Sequence, residues 1–126
     1  ASSDVPLNSV LIVEFKRAER TQFDQNPIQQ VLGYVRKLRD AKIRDARGRT
    51  VNVHPDAAFT CYIIADLTKQ LRQMADEASL DPTPDMAGYF GFNRNYKAYL
   101  EIISYDKLLH DSNLRNRELF KALELE

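Results

Sequence analysis

The 126-residue chain is poor in the residues that carry most recognisable chemistry, with one cysteine, two histidines, no tryptophan and four glycines. A lone thiol, Cys61, forbids an internal disulfide. A fold independent of oxidation, in a reducing cytoplasmic compartment with Cys61 as a buried structural thiol, is therefore expected. Two isolated histidines, His54 and His110, rule out a Cys/His zinc cluster and leave no placed base for a serine or cysteine triad. Neither GxxxxGK[ST] nor GxGxxG occurs, so no glycine-rich phosphate loop is available. There is no run of about 18 apolar residues to span a bilayer, and ASSDVPLNS lacks the basic-then-apolar order of a secretory leader. No membrane partner is expected. Repeats and low-complexity linkers are missing too.

What is present is the composition of one soluble domain with a single core: 44% hydrophobic and 29% charged residues. The chain does not start at methionine and enters its first strand within about ten residues. It reads as a single domain, 1–126, cut from a longer protein. The net charge of zero hides an asymmetry. Residues 16–49 hold ten Lys and Arg against four acids, a balance of +6, so the remainder carries −6. A polyanion responds to the local field, and Arg17, Arg20, Lys37, Lys42, Arg44, Arg47 and Arg49 are candidate nucleic-acid contacts. The plainer alternative is a set of solvated helix faces and a polar hairpin.

Val10 to Phe15 is apolar and β-branched except at Glu14, the pattern of a strand covered on both faces. With a side-chain period of two, Val10, Ile12, Glu14 and Lys16 share one face, and Leu11, Val13 and Phe15 the other. The strand is expected over about 9–16. In NPIQQVLGYVRKLRDAKI, Asn26 is a good N-cap and Pro27 suits the first helical position, and Ile28, Val31, Leu32, Val35 and Leu38 recur at helical spacing. That helix is expected over about 27–42. RDARGRTVNVHPDA predicts a short hairpin or an ordered loop. AFTCYIIAD predicts a second buried strand, over about 58–65, parallel to the first through a right-handed crossover. LTKQLRQMADEASL predicts a helix stopped before DPTPD by its prolines.

GYFGFNRNYKAYLEIIS predicts two aromatic strands around Asn93-Arg94-Asn95, with Gly91 a candidate bulge. Tyr89, Phe90, Phe92, Tyr96 and Tyr99 are expected to hold this hairpin on the sheet, stacking on bases being the alternative. A helix capped by Ser104, with a stripe of Tyr105, Leu108, Leu109, Leu119, Phe120 and Leu123, closes the chain.

Glu14 and Lys16 pose the chemical question. A carboxylate on a buried strand is costly unless it is paired or binds a cation. Magnesium suits a site with one or two carboxylates that keeps waters and touches phosphate. A neighbouring ammonium can then orient the attacking water or stabilise the pentavalent phosphorane. The plain reading is a salt bridge between the two. Gln30 and Tyr34, four apart, lie on one face of the next helix beside its apolar stripe, and Lys37 continues that edge.

E-x-K on a strand followed by Q-x-x-x-Y on the next helix resembles the PD-(D/E)xK nuclease superfamily, in the branch with a Gln/Tyr helix motif. The resemblance covers Glu14, Lys16, Gln30 and Tyr34 and the strand, helix, strand order through about residue 65. It implies an α/β fold with a restriction-endonuclease-like mixed sheet, then a helix, a β-hairpin and a long C-terminal helix. By the same resemblance Glu14 would be a ligand of Mg2+ or Mn2+, Lys16 would position the water, and Gln30 and Tyr34 would line the site, with nucleic acid as substrate. The family's first metal-binding aspartate precedes the E-x-K strand. Asp4 is the only acid upstream here, and the family's initial helix and two strands have no counterpart. The chain is also similar to the C-terminal region of large bacterial proteins that begin with a histidine-kinase-type ATPase domain. That likeness implies such a domain as a partner in the same polypeptide.

Overall fold

The computed structural model describes residues 5–17 and 25–115, the last five as backbone alone. Five strands and three helices follow in the order β1 (Leu7–Phe15), α1 (Pro27–Arg39), β2 (Val53–Ile64), α2 (Lys69–Glu77), β3 (Asp81–Pro82), β4 (Gly88–Asn93), β5 (Ala98–Ile103) and α3 (Tyr105–Arg115). The strands form one open mixed sheet in the order β1-β2-β5-β4-β3. Both β1 and β5 run parallel to β2, while β4 is antiparallel to β5 and β3 to β4. The architecture is α/β, as the sequence predicts. None of the described helices is long and apolar enough to cross a membrane.

Local signals account for the helices. The Asn26 side chain accepts from Ile28 N–H at 2.9 Å and Gln29 N–H at 3.3 Å, and Pro27 follows where no N–H is needed. Thr68 caps α2 through Leu71 N–H at 3.2 Å. The Ser104 hydroxyl accepts from Lys107 N–H at 3.1 Å at the start of α3. α1 ends at Arg39, three residues before the expected stop. Lys42 N–H reaches Lys37 C=O and Ala41 N–H reaches Leu38 C=O, a Schellman closure with Ala41 left-handed at φ 56°. Alanine in the position usually held by glycine left no stop signal to read.

The core lies on one face of the sheet. Ile28, Val31, Leu32 and Val35 of α1 and Leu71 and Ala75 of α2 cover Phe59, Cys61 and Ile63 of β2 and Leu100 and Ile102 of β5. The register puts Ile12 beside Cys61 and Glu14 beside Ile63, so the even face of β1 belongs to this layer. The expectation that β1 is covered on both faces fails. β1 is an edge strand, and its odd face stands open at Leu11 (63% exposed), Val13 and Phe15. The same open face carries Phe90 and Phe92 of β4.

The hairpin aromatics therefore divide. Tyr89 and Tyr96 join the core and Phe90 and Phe92 do not, because the pleat sends Tyr89 inward and its neighbours outward. Gly91 is not a bulge: β4 and β5 pair without interruption from Gly88–Ile103 to Asn93–Ala98. It is Gly88 that close approach explains, since a Cβ there would come within 2.3 Å of the Ile102 carbonyl oxygen. His54 lies within β2, where Nδ1 accepts from Asp56 N–H at 3.0 Å. Arg44 and Thr50 bridge a small basic hairpin turned at Gly48. The apolar positions Leu119, Phe120 and Leu123 lie outside the described residues.

Candidate active site at the carboxyl end of β1

Two elements build the site. The last residues of β1 project Glu14 from the core face, and Lys16 follows in the same phase while its N–H continues the ladder to Ile64 C=O at 2.9 Å. α1 begins at this end of the sheet. Its first turns bring Gln30 over Lys16, and its last turn reaches the opposite end, where Arg39 meets Pro55 and Ala57.

Lys16 Nζ donates to Gln30 Oε1 at 2.6 Å and lies 3.2 Å from Glu14 Oε1. The side chains of Lys16 and Glu14 are 14% and 22% exposed, so both are largely withdrawn from water yet still touch it. An ammonium has three N–H donors. Gln30 and Glu14 take two, and no described residue takes the third, which can serve a water or a phosphate oxygen. Tyr34 lies one turn beyond Gln30, 36% exposed, and no described residue hydrogen-bonds its hydroxyl. Glu14, Lys16 and Gln30 thus meet directly, with Tyr34 beside them on α1.

Sequence reasoning missed one participant. The Tyr105 hydroxyl, at the start of α3, donates to Lys16 C=O at 2.6 Å across 89 positions of chain. Burial first, and the Asp66 carboxylate second, push its phenol above the ordinary value. The sequence places Tyr105 in a core stripe, and no local pattern distinguishes a core tyrosine from one that tethers a distant strand end.

The candidate basic contacts separate into groups. Arg17 is exposed beside the site and Lys37 is exposed further along α1. Lys42, Arg44, Arg47 and Arg49 lie at the other end of the sheet: Leu7 N–H bonds Asn52 C=O there, and Glu14 stands seven residue steps along β1 from Leu7. At about 3.3 Å per residue the separation exceeds 20 Å. Within that hairpin Arg49 pairs with Asp45 at 3.4 Å and Arg44 donates to Gly48 C=O at 2.9 Å. Backbone bonds from Arg49, then from Arg47, hold the Asp45 carboxyl below its ordinary value. These four bases do not converge on Glu14. Arg20 and Asp4 lie outside the described residues.

Among the described residues no group of three His, Cys, Asp or Glu side chains is placed to hold a metal ion. Among those residues the site offers one carboxylate, Glu14. Comparison with protein-family models, with curated proteins and with solved structures finds no match to this chain.

Proposed function

We propose that the end of β1 is a metal-dependent phosphodiesterase site of the PD-(D/E)xK nuclease type, acting on nucleic acid. The observation that carries this reading is the Lys16 ammonium. It is clamped between Glu14 and Gln30 with one donor that no described residue takes, at the carboxyl edge of parallel strands where open α/β sheets present their ligands. A surface salt bridge needs no glutamine from a second element; a group that must aim a proton does.

The donor set fits a hard cation at its lower limit. Mg2+ or Mn2+ is held by one or two carboxylates together with waters and substrate phosphate, and Glu14 supplies one carboxylate whose Oε2 makes no bond to a described residue. The cation, when bound, lowers the pKa of a coordinated water and offsets charge on the scissile phosphate. Glu14 accepts the cation and, through Oε1, fixes Lys16. Gln30 carries no charge, so it restrains the ammonium without neutralising it. Lys16 holds the attacking water in line or donates to the phosphoryl oxygen as negative charge builds there. Tyr34 faces the strand of substrate next to the reacting phosphate.

The second reading is a nuclease-like domain that binds nucleic acid or a partner without cutting, and the single described carboxylate favours it. Incubation of single- and double-stranded DNA and RNA with Mg2+ or Mn2+ separates the two. Cleavage that falls at least about a hundredfold in Glu14→Gln and in Lys16→Met, with binding retained, is the expected result. Wild-type cutting by both variants rejects the site, and binding without cutting by the parent chain selects the second reading.

A further inference from the structure

An open cleft of about 1140 Å3 lies at the carboxyl ends of β2 and β5, walled by the first turns of α2 and α3. β1 runs parallel to both strands, so this is the same end of the sheet as Glu14 and Lys16. Tyr105 lines the cleft and its hydroxyl holds the Lys16 carbonyl, which puts the cleft wall in direct contact with the candidate site.

The lining chemistry narrows the ligand. Lys107 is spent on Asp85, which also accepts from the Thr83 hydroxyl and Ala87 N–H. Arg72, half-buried, and His110, exposed, remain for an anion, and no described carboxylate pairs with either. Asp106, exposed on the same wall, repels a bare phosphate or polyphosphate but accepts from amino groups. Leu67, Met86 and the Tyr105 ring add apolar surface. A phosphate beside the Arg72 guanidinium and an imidazole N–H, amino groups beside a carboxylate and a flat apolar body describe a nucleotide. A base stacked and paired in a duplex cannot lay its face on the Tyr105 ring, so a nucleotide reaches this cleft only out of the stack.

We propose that the nucleotide flanking the scissile phosphate enters this cleft, its phosphate on Arg72 and His110 and its base against Tyr105, so that the substrate is unpaired beside the cut. The proposal rests on the phosphodiesterase reading. It adds that the molecule selects single strands or unpaired ends over blunt duplex.

Fluorescence anisotropy in EDTA, where no cleavage occurs, tests it with a single-stranded oligonucleotide, a duplex bearing an unpaired end and a blunt duplex. The unpaired probes bind about tenfold more tightly than the blunt one. Arg72→Glu and His110→Glu each abolish that preference while blunt-duplex affinity stays within about twofold. His110 is exposed, so its replacement leaves the fold intact even if Arg72→Glu does not fold. Equal affinity for all three probes, or equal weakening of all three by His110→Glu, overturns the cleft assignment and leaves the Glu14 site standing. Cleavage by Glu14→Gln with the preference intact overturns the catalytic reading and leaves the cleft. No binding of any probe overturns both.

Discussion

Lys16 and Gln30, on different elements and 14 positions apart, meet at 2.6 Å. The contact ties the end of an edge strand to the second turn of α1 and fixes an ammonium that would otherwise swing on four methylenes. Gln30→Leu removes the acceptor and leaves Lys16 with Glu14 alone. Because both lysine and glutamate are mostly buried, the loss in stability is about 1–2 kcal/mol by urea unfolding. In a double-mutant cycle with Lys16→Met the coupling is about 1 kcal/mol or more, whereas a merely exposed pair gives close to zero. Cleavage falls at least about tenfold in Gln30→Leu, since a mobile ammonium no longer aims its third donor.

Arg39 closes the opposite end of α1. Its guanidinium donates to Tyr96 C=O at 3.1 Å, Ala57 C=O at 3.2 Å and Lys97 C=O at 3.0 Å, with Pro55 C=O at 3.4 Å, and lies 4.3 Å from the Phe59 ring centre. One planar fork therefore joins α1 to β2 and to the β4–β5 turn. Lysine cannot reproduce that geometry. Arg39→Ala loses about 2–4 kcal/mol and Arg39→Lys recovers less than half of it, read from chemical unfolding midpoints.

Asp85 joins the turn before β4 to α3. The Lys107 ammonium, then the Thr83 hydroxyl, then Ala87 N–H favour its charged form and hold its carboxyl far below the ordinary value of 3.8. A carboxyl depressed in the folded state binds fewer protons than in the unfolded chain, so its stabilisation is complete above the unfolded value and is lost as pH falls through the range below it. Asp85→Asn lowers the Tm at neutral pH. The gap from the parent narrows as pH drops below about 4 in thermal scans. An equal gap at every pH contradicts this assignment.

Ala41 occupies the left-handed position of the α1 closure at φ 56°. An L-residue pays about 1–2 kcal/mol there, and glycine pays part of that back as unfolded-state entropy. Ala41→Gly therefore raises stability by about 0.5–1 kcal/mol, seen as a higher urea midpoint at unchanged slope.

The period-two alternation of VLIVEFK determined that Glu14 and Lys16 share a face, and Asn26-Pro27 determined where α1 starts, because both are set by covalent geometry and by bonds within a few residues. The turn between β4 and β5 was legible for the same reason. The sequence could not show that β1 is an edge, that Lys42 to Arg49 lie at the far end of the sheet, or that Tyr105 holds Lys16. Each depends on which strands pair and which helix ends meet, and an apolar run reads alike whether its second face is covered or open. Residue order thus fixed which side chains point together. Only the packing of distant segments decided what stands opposite them, since those contacts are chosen by the burial of the whole core.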